Sequence, residues 1–238
     1  MSHSRLAIIP CRGGSKGIHR KNLALVNGIS LTARAIIFAQ ECGLFDLIHV
    51  STDDEEIAAE ADRFGSPVDF FRSSSTSSDS SSSTDVIREV LQIFANKNVK
   101  FSSIALLEPT SPMRTKEIVF QTIESVEDTE FDAALTLSPV SPSYHPDKQF
   151  TINQNKYAEF FTSAGHTIKS RQQLSTTYIR NGFCYAVRGD SISKGTDIFG
   201  FKLHGVICNI PYVNIDTPED LELCRKLLRY QNGGRGGI

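Results

Sequence analysis

Short apolar runs alternate with helical patterns through the first half of the chain. Polar or glycine-rich sequence bounds each run, which is typical of buried strands. Strands are predicted over residues 6–10, 47–51, 68–71, 101–107 and 132–137, and helices over residues 31–42, 54–64 and 116–126. The alternation predicts an α/β fold, with a mainly parallel sheet that helices cover on both faces. Such sheets bind ligands at the carboxyl ends of their strands.

The regular pattern stops at residues 138–180, which contain three prolines and scattered aromatic residues. This stretch is predicted to form a protruding lobe, a lid or an interface. Extended segments are predicted again over residues 182–187, 206–210 and 212–216. A last helix follows, with Thr217 as its cap and Pro218 at its first position. We therefore expect one domain over residues 1–238, with residues 138–180 inserted into it.

Residues 73–83 are almost all serine, threonine and aspartate. Taken alone, this composition indicates a flexible linker. Ser82 and Asp85, however, have the spacing of a capping box, and apolar side chains then recur on one helical stripe. The tract is therefore predicted to be a surface loop that ends at a helix N-terminus.

Composition and charge disfavour several classes of partner. The 27 acidic and 25 basic side chains nearly balance, so neither nucleic acid nor a membrane surface is an expected partner. The five cysteines are odd in number and lie at no metal-ligand spacing, which favours free thiols in a reducing compartment. Without a signal-sequence pattern or a membrane-spanning apolar run, the chain is expected to be cytoplasmic.

The strongest chemical signal lies in residues 11–22, which we call the basic loop. It follows the first predicted strand and contains three glycines together with four cations, Arg12, Lys16, Arg20 and Lys21. Glycines expose backbone N–H groups, which can bind a polyphosphate together with the cations. The spacing matches neither a Walker A sequence nor the dinucleotide-binding fingerprint. A solvated basic turn is the alternative interpretation.

Asp53 is a second candidate, because it follows the predicted strand 47–51 and active-site residues collect at such positions. Residues 51–53 also fit a helix cap. The cap is the preferred interpretation. No histidine has a partner at the spacing of a catalytic triad or a zinc site, so no catalytic histidine is predicted.

Several motifs occur in a fixed order along nearly the whole chain. They are IIPCRGGSKGIHRKNL at 8–23, VSTDDEEIAAEADRFG at 50–65, LLEPTSPMR at 106–114, RQQL at 171–174, NGFCY at 181–185 and NIDTPEDLE at 214–222. In this order they resemble the acylneuraminate cytidylyltransferases, the CMP-sialic acid synthetases. The resemblance implies a Rossmann-like three-layer α/β sandwich with a small dimerisation lobe at residues 138–180. It also implies a homodimer, with CTP, an acidic 2-keto sugar and Mg²⁺ as ligands.

The resemblance assigns roles to individual residues around the nucleotide. Arg12, Lys21 and Asp216 are the expected catalytic residues. The expected nucleotide-binding residues are Arg12, Gly13, Ser15, Lys16, Lys21, Asn22, Arg72 and Ser83. A helix cap is an equal alternative for Ser83, and the two roles are compatible.

On the sugar side, the resemblance points to Glu108, Arg171, Gln172, Asn181 and Tyr185. Arg171 is suited to bind the sugar carboxylate, because its planar guanidinium can donate two parallel hydrogen bonds. Glu108 stands where the family carries glutamine, and an ionised carboxylate accepts hydrogen bonds but cannot donate them. The identity of the sugar is therefore open.

The metal site departs from the family pattern. The sialate enzymes carry two aspartates two residues apart, whereas this chain has Asn214 and Asp216. Alternation along an extended segment places both side chains on one face. Asp216 is the expected metal ligand, with a helix cap as its alternative role. Asn214 is a candidate ligand that brings no charge.

The reaction implied by the resemblance transfers CMP from CTP to the anomeric hydroxyl of a sialic-acid-like nonulosonic acid and releases pyrophosphate. One alternative is a cytidylyltransferase for another acidic acceptor, such as KDO, amino-KDO, legionaminic acid, pseudaminic acid or a phosphonate. The other alternative is a nucleotide-binding module without catalysis, which Asn214 suggests.

Overall fold

The computed structural model describes residues 4–15, 17–78, 80–127 and 129–233. Its strands are β1 (Arg5–Pro10), β2 (Leu25–Val26), β3 (Ile29–Ser30), β4 (Leu47–Ser51), β5 (Ser103–Leu106), β6 (Ala133–Pro139), β7 (Phe150–Ile152), β8 (Ala158–Phe160), β9 (Tyr178–Arg188) and β10 (Leu203–Ile207). Its α-helices are α1 (Leu31–Cys42), α2 (Glu55–Arg63), α3 (Ser74–Ser77), α4 (Ser83–Asn96), α5 (Lys116–Glu124), α6 (Gly189–Ser193) and α7 (Pro218–Gly233).

A six-stranded sheet in the order β10-β6-β9-β5-β1-β4 forms the centre of the fold. β1 pairs in parallel with both β4 and β5, whereas β9 runs antiparallel to β5. The chain passes from β1 to β4 on one side and then crosses to β5 on the other. β1 is therefore a topological switch point, where ligands bind at the carboxyl ends of the strands. With helices on both sides of the sheet, the predicted α/β three-layer class is confirmed.

Most predicted elements are confirmed within a few residues, but two predicted extended segments are not strands. Residues 68–71 pair with no strand; instead the ring of Phe70 stacks on His49 at 4.3 Å and packs edge-on against Phe94 at 5.6 Å. Their apolar character thus reflects side-chain packing rather than a β-ladder. Residues 212–216 are extended but outside the sheet, with one backbone bond from Ile215 N to Thr110 O at 2.9 Å.

Side-chain caps begin the helices where the chain leaves the strands. Ser82 and Asp85 form the predicted capping box at the start of α4. Before α7, Asp220 accepts hydrogen bonds from the backbone N–H of Thr217 at 2.9 Å, and the Thr217 hydroxyl accepts one from the N–H of Asp220 at 3.3 Å. Helix N-termini require such acceptors because their first N–H groups lack intrahelical partners.

The chain divides into two compact units, which we call the larger and the smaller unit. Among the described residues, the larger unit comprises those from 4 to 136, from 181 to 206 and from 211 to 233. Strands β1, β4 and β5 run through its apolar core, and Leu6, Ala7, Ile8 and Ile9 have no exposed surface. All five cysteines are buried and free, as predicted. No helix among the described residues has the length and apolarity needed to cross a bilayer.

The smaller unit comprises residues 137–180 and 207–210. Its centre is the antiparallel β7–β8 hairpin, in which the rings of Phe150 and Phe160 lie 4.4 Å apart. The hydroxyl of Thr162 donates to Asp147 at 2.5 Å. Several large apolar side chains of this unit remain exposed. They include Tyr144, Phe150, Ile152, Tyr157 and Phe161, each with more than half of its surface accessible.

Candidate functional site

A cleft of about 520 Å³ opens in the larger unit at the carboxyl ends of β1 and β5. This is the switch point of the sheet, and we call it the β1–β5 cleft. It is lined by Pro10, Arg12, Gly14, Ser15, Gly17, Lys21, Asn22, Glu108, Pro109, Thr110, Asn214 and Asp216. The basic loop, the segment after β5 and the segment before α7 thus meet around one cavity.

The basic loop contacts Asp216 directly. Nζ of Lys21 lies 2.8 Å from Oδ1 of Asp216, although 195 residues separate them in sequence. At Gly17 the backbones approach so closely that a Cβ atom would lie 2.1 Å from the carbonyl oxygen of Asp216. Only glycine fits at that position. The basic loop and the segment that carries Asp216 therefore lie in direct contact in the lining of the cleft.

Two buried polar contacts hold the basic loop in shape. Asn22 is buried, and its Nδ2 donates to the carbonyl oxygen of Arg12 at 2.9 Å. Thr32 at the start of α1 donates in turn to the carbonyl oxygen of Asn22 at 2.9 Å. Lys16, another of the four predicted cations of this loop, lies outside the described residues.

Asp53 does not cap a helix, so the preferred interpretation of this residue was wrong. The neighbouring Asp54 is the cap of α2, and its Oδ1 accepts from the N–H groups of Glu56 and Ile57. Oδ1 of Asp53 instead accepts a hydrogen bond from the N–H of Gly13 at 2.8 Å. Gly13 does not line the β1–β5 cleft, and its N–H is directed to this carboxylate.

Two of the predicted nucleotide-binding residues, Arg72 and Ser83, also lie outside the lining of the cleft. Arg72 is buried, and its guanidinium donates to the hydroxyl of Ser51 at 3.1 Å and to the Ser51 carbonyl at 2.8 Å. This burial lowers the pKa of Arg72 from its ordinary value. Ser83 is the first residue of α4, while Ser82 is the cap, so the cap role considered for Ser83 was wrong.

Glu108 lies at the other end of the cleft, on the segment that follows β5. Gly182 in β9 has a φ of +72°, and a Cβ atom there would lie 2.3 Å from Oγ of Ser111 and 2.8 Å from Oε2 of Glu108. The missing side chain leaves space for the Glu108 carboxylate. Ser111 donates to Oδ1 of Asn214 at 2.7 Å, which joins this segment to the one before α7.

Arg114 holds the Glu108 segment from behind. It is buried and donates to the carbonyl oxygens of Glu108 and Ser111, the latter at 3.0 Å. Its guanidinium lies 5.7 Å from the ring centroid of Phe38. Burial lowers the pKa of Arg114 to about 10, which leaves it charged at neutral pH.

The remaining predicted sugar contacts divide between the two units. Asn181 and Tyr185 are buried in β9 of the larger unit, and Oδ1 of Asn181 accepts from the hydroxyl of Thr136 at 2.5 Å. Neither lines the β1–β5 cleft. Arg171 and Gln172 form an exposed 3₁₀ turn of the smaller unit.

The acidic side of the cleft fits a magnesium ion that a triphosphate helps to bind. Among the described residues, no three His, Cys, Asp or Glu side chains form a metal-binding group. Mg²⁺, however, is commonly bound by one or two carboxylates together with substrate phosphates. Asp216 supplies an exposed carboxylate, and Asn214 Oδ1 keeps a second lone pair beside the bond from Ser111. These two residues are the ones that would hold the ion.

Sequence reasoning missed several residues that shape this site. Gly17, Thr110, Ser111 and Gly182 were not singled out, and Asp53 was assigned another role. For Gly17 and Gly182 the glycine itself was the available signal, because glycine marks close backbone approach or a positive φ. The motif that contains Thr110 and Ser111 has no glycine and gave no such signal. Which residue approaches it depends on contacts between distant segments.

An α/β sheet whose switch point carries a glycine-rich cationic loop beside a carboxylate is typical of proteins that bind a nucleotide phosphate. The family follows from comparison of the whole chain. The model of the cytidylyltransferase family matches residues 6–233, and the chain belongs to that family. The resemblance seen in the sequence motifs is thereby confirmed.

Two similar proteins span almost the same length. The pseudaminic acid cytidylyltransferase of Campylobacter jejuni is 31% identical over 94% of this chain and 96% of its own. The CMP-N,N'-diacetyllegionaminic acid synthase of Legionella pneumophila is 29% identical over 94% and 95%. A solved CMP:2-keto-3-deoxy-manno-octonic acid synthetase complexed with CTP has the same fold. Its TM-score is 0.72 at 18% identity, over 96% of this chain and 99% of that one.

Proposed function

We propose that this protein transfers CMP from CTP to the anomeric hydroxyl of a sialic-acid-like nonulosonic acid and releases pyrophosphate. One observation carries the proposal: Lys21 and Asp216 meet at 2.8 Å inside a cleft at the switch point of the sheet. A cation and a carboxylate side by side in one cleft suit a triphosphate that binds together with a divalent ion. The names of the two full-length relatives support an acidic nonulosonic acceptor.

In the proposed reaction, the C2 hydroxyl oxygen forms a bond to the α-phosphorus of CTP while the bond to the β-phosphate oxygen breaks. The hydroxyl proton is released, and pyrophosphate leaves on the opposite side. Arg12 and Lys21 line the wall where the leaving charge grows, and they stabilise it there. Because the chain supplies position and charge rather than a covalent intermediate, most of the rate comes from these two effects.

Magnesium is part of the proposal, with Asp216 as its main ligand and Asn214 as the second. When bound, Mg²⁺ neutralises phosphate charge and aligns the triphosphate. We also propose a cytoplasmic location, which the five free buried thiols support and which cell fractionation would test.

A pyrophosphate-release assay over a panel of acceptors tests the function. CTP is supplied with a sialic, pseudaminic or legionaminic acid, or with KDO, in the presence and absence of Mg²⁺. We expect magnesium-dependent pyrophosphate release with at least one nonulosonic acid. Release with KDO alone would establish the alternative acceptor. CTP binding without release for any 2-keto sugar acid would establish a nucleotide-binding module.

Glu108 is the residue that we propose to select among the acceptors. Its carboxylate lines the cleft and can only accept hydrogen bonds when ionised. An acceptor that presents N–H or O–H groups at this position is favoured, and one that presents an acceptor oxygen is disfavoured. The ranking of acceptors in the panel therefore tests whether Glu108 selects among them.

We further propose that the protein is a homodimer that associates through the smaller unit. The exposed Tyr144, Ile152 and Tyr157 of that unit, each about two-thirds accessible or more, support this, because large exposed apolar area, when it forms one patch, is typical of an interface. Sedimentation equilibrium is expected to give a dimer for the wild type and a monomer for Ile152→Glu. Ile207→Glu makes the same type of change in residues 207–210, the second segment of the smaller unit, and tests whether that segment takes part in the interface. A monomeric wild type at micromolar concentration would contradict the proposal.

A further inference from the structure

The basic loop is bound near each of its ends to the start of α2 and the two residues before that helix. At the front, the N–H of Gly13 donates to Oδ1 of Asp53 at 2.8 Å. At the back, the guanidinium of Arg20 pairs with Glu56 and lies 3.6 Å from Oδ2 of Asp54. We call Asp53, Asp54 and Glu56 the acidic turn.

The packing at the front end is tight as well as polar. A Cβ atom on Gly13 would lie 2.6 Å from Oδ2 of Asp54 and 2.9 Å from its Cβ, so the loop backbone rests directly on the acidic turn. Asp54 is itself held as the cap of α2 through the N–H groups of Glu56 and Ile57. The position of α2 therefore fixes the position of the loop backbone at Gly13.

The residues of the basic loop face in two directions. Arg12, Gly14 and Ser15 line the β1–β5 cleft, whereas Gly13 between them does not. The Gly13 N–H is bonded on the α2 side, so the Asp53 carboxylate does not occupy a donor that faces the cleft. Asp53 thus acts on the loop from behind.

We infer that Asp53 is a positioning residue, which fixes the basic loop so that Arg12 and the cleft-facing backbone meet the triphosphate. The inference rests on the proposed function. Arg20, which the sequence counts among the phosphate cations, serves as the second fastening through Glu56. The acidic turn does not compete with the triphosphate for donors. It pairs with the Gly13 N–H and the Arg20 guanidinium, which the anion does not use.

The test compares Asp53→Ala, Asp53→Asn and the control Asp62→Ala, which removes an exposed aspartate of α2. Hydrogen exchange of the basic loop is measured without ligand, and CTP affinity by calorimetry. Asp53→Ala is expected to speed exchange in the loop and to weaken CTP binding about tenfold, the size of one hydrogen bond to a charged acceptor. Asp53→Asn keeps an acceptor oxygen and is expected to stay within about threefold of the wild type. The KM of the acceptor sugar should not change.

Unchanged loop exchange in Asp53→Ala would overturn the inference, whatever the ligand. Tighter CTP binding in both Asp53 variants would also overturn it, because the carboxylate would then be a competing charge. If exchange rises in Asp53→Ala while the wild type itself binds no CTP, the positioning contact stands and the proposed function fails.

Discussion

Lys21→Ala is expected to lower kcat by about a hundredfold or more, the loss typical of one preorganised electrostatic donor. The Lys21 ammonium lies in the β1–β5 cleft, and only a fifth of its side chain is exposed. A charge in such a partly dehydrated position acts more strongly on a leaving pyrophosphate than one in water. The measurement is steady-state pyrophosphate release at saturating CTP, acceptor and Mg²⁺.

Lys226→Ala provides the matched control, since it removes an exposed lysine of α7 that does not line the cleft. Its turnover should equal that of the wild type. A Lys21→Ala enzyme with normal kcat and a raised KM for CTP would mean that the lysine binds ground state and transition state equally. Normal values of both constants would remove its proposed role.

Asp216→Asn is the second large effect that we expect. The change keeps the size of the side chain but removes the charge that faces Lys21 at 2.8 Å. Both proposed metal ligands would then be neutral amides. The Mg²⁺ concentration that gives half-maximal velocity should therefore rise by about tenfold to a hundredfold. Titration of Mg²⁺ at fixed CTP and acceptor concentrations measures this shift.

Glu219→Gln is the control, because Glu219 is an exposed carboxylate in the first turn of α7 and does not line the cleft. An Asp216→Asn enzyme with the wild-type magnesium requirement would exclude Asp216 as a ligand. The double variant Lys21→Ala/Asp216→Asn should lose less activity than the product of the two single-variant losses, because the two residues act on the same ligand.

The strands of the larger unit could be predicted because their sequences reflect burial on both faces. Residues 6–9 are continuously apolar and have no exposed surface, as expected for the centre of a parallel sheet. The same signal misled at residues 68–71, where Phe70 is packed by His49 and Phe94 at the edge of the sheet. An apolar run alone does not distinguish side-chain packing from strand pairing.

Alternation succeeded at residues 213–216 even though no strand forms there. Val213 and Ile215 are buried, while Asn214 and Asp216 line the cleft, as the two-residue period of an extended chain requires. The pairing of Asp216 with Lys21 could be expected only from the resemblance, because no local pattern joins residues that far apart. The sequence could not decide between Asp53 and Asp54 as the cap of α2. That choice depends on the extended backbone of Asp54, with φ −119° and ψ 126°.

We propose that the basic loop and Asp216 together bind the triphosphate of CTP. A crystal structure with Mg²⁺ and a non-hydrolysable CTP analogue tests it most directly. We expect a phosphate oxygen within about 2.7–3.2 Å of Lys21 Nζ, with the metal bound between that phosphate chain and the Asp216 carboxylate. A triphosphate bound elsewhere, with the ion pair of Lys21 and Asp216 unchanged in an empty cleft, would contradict the account.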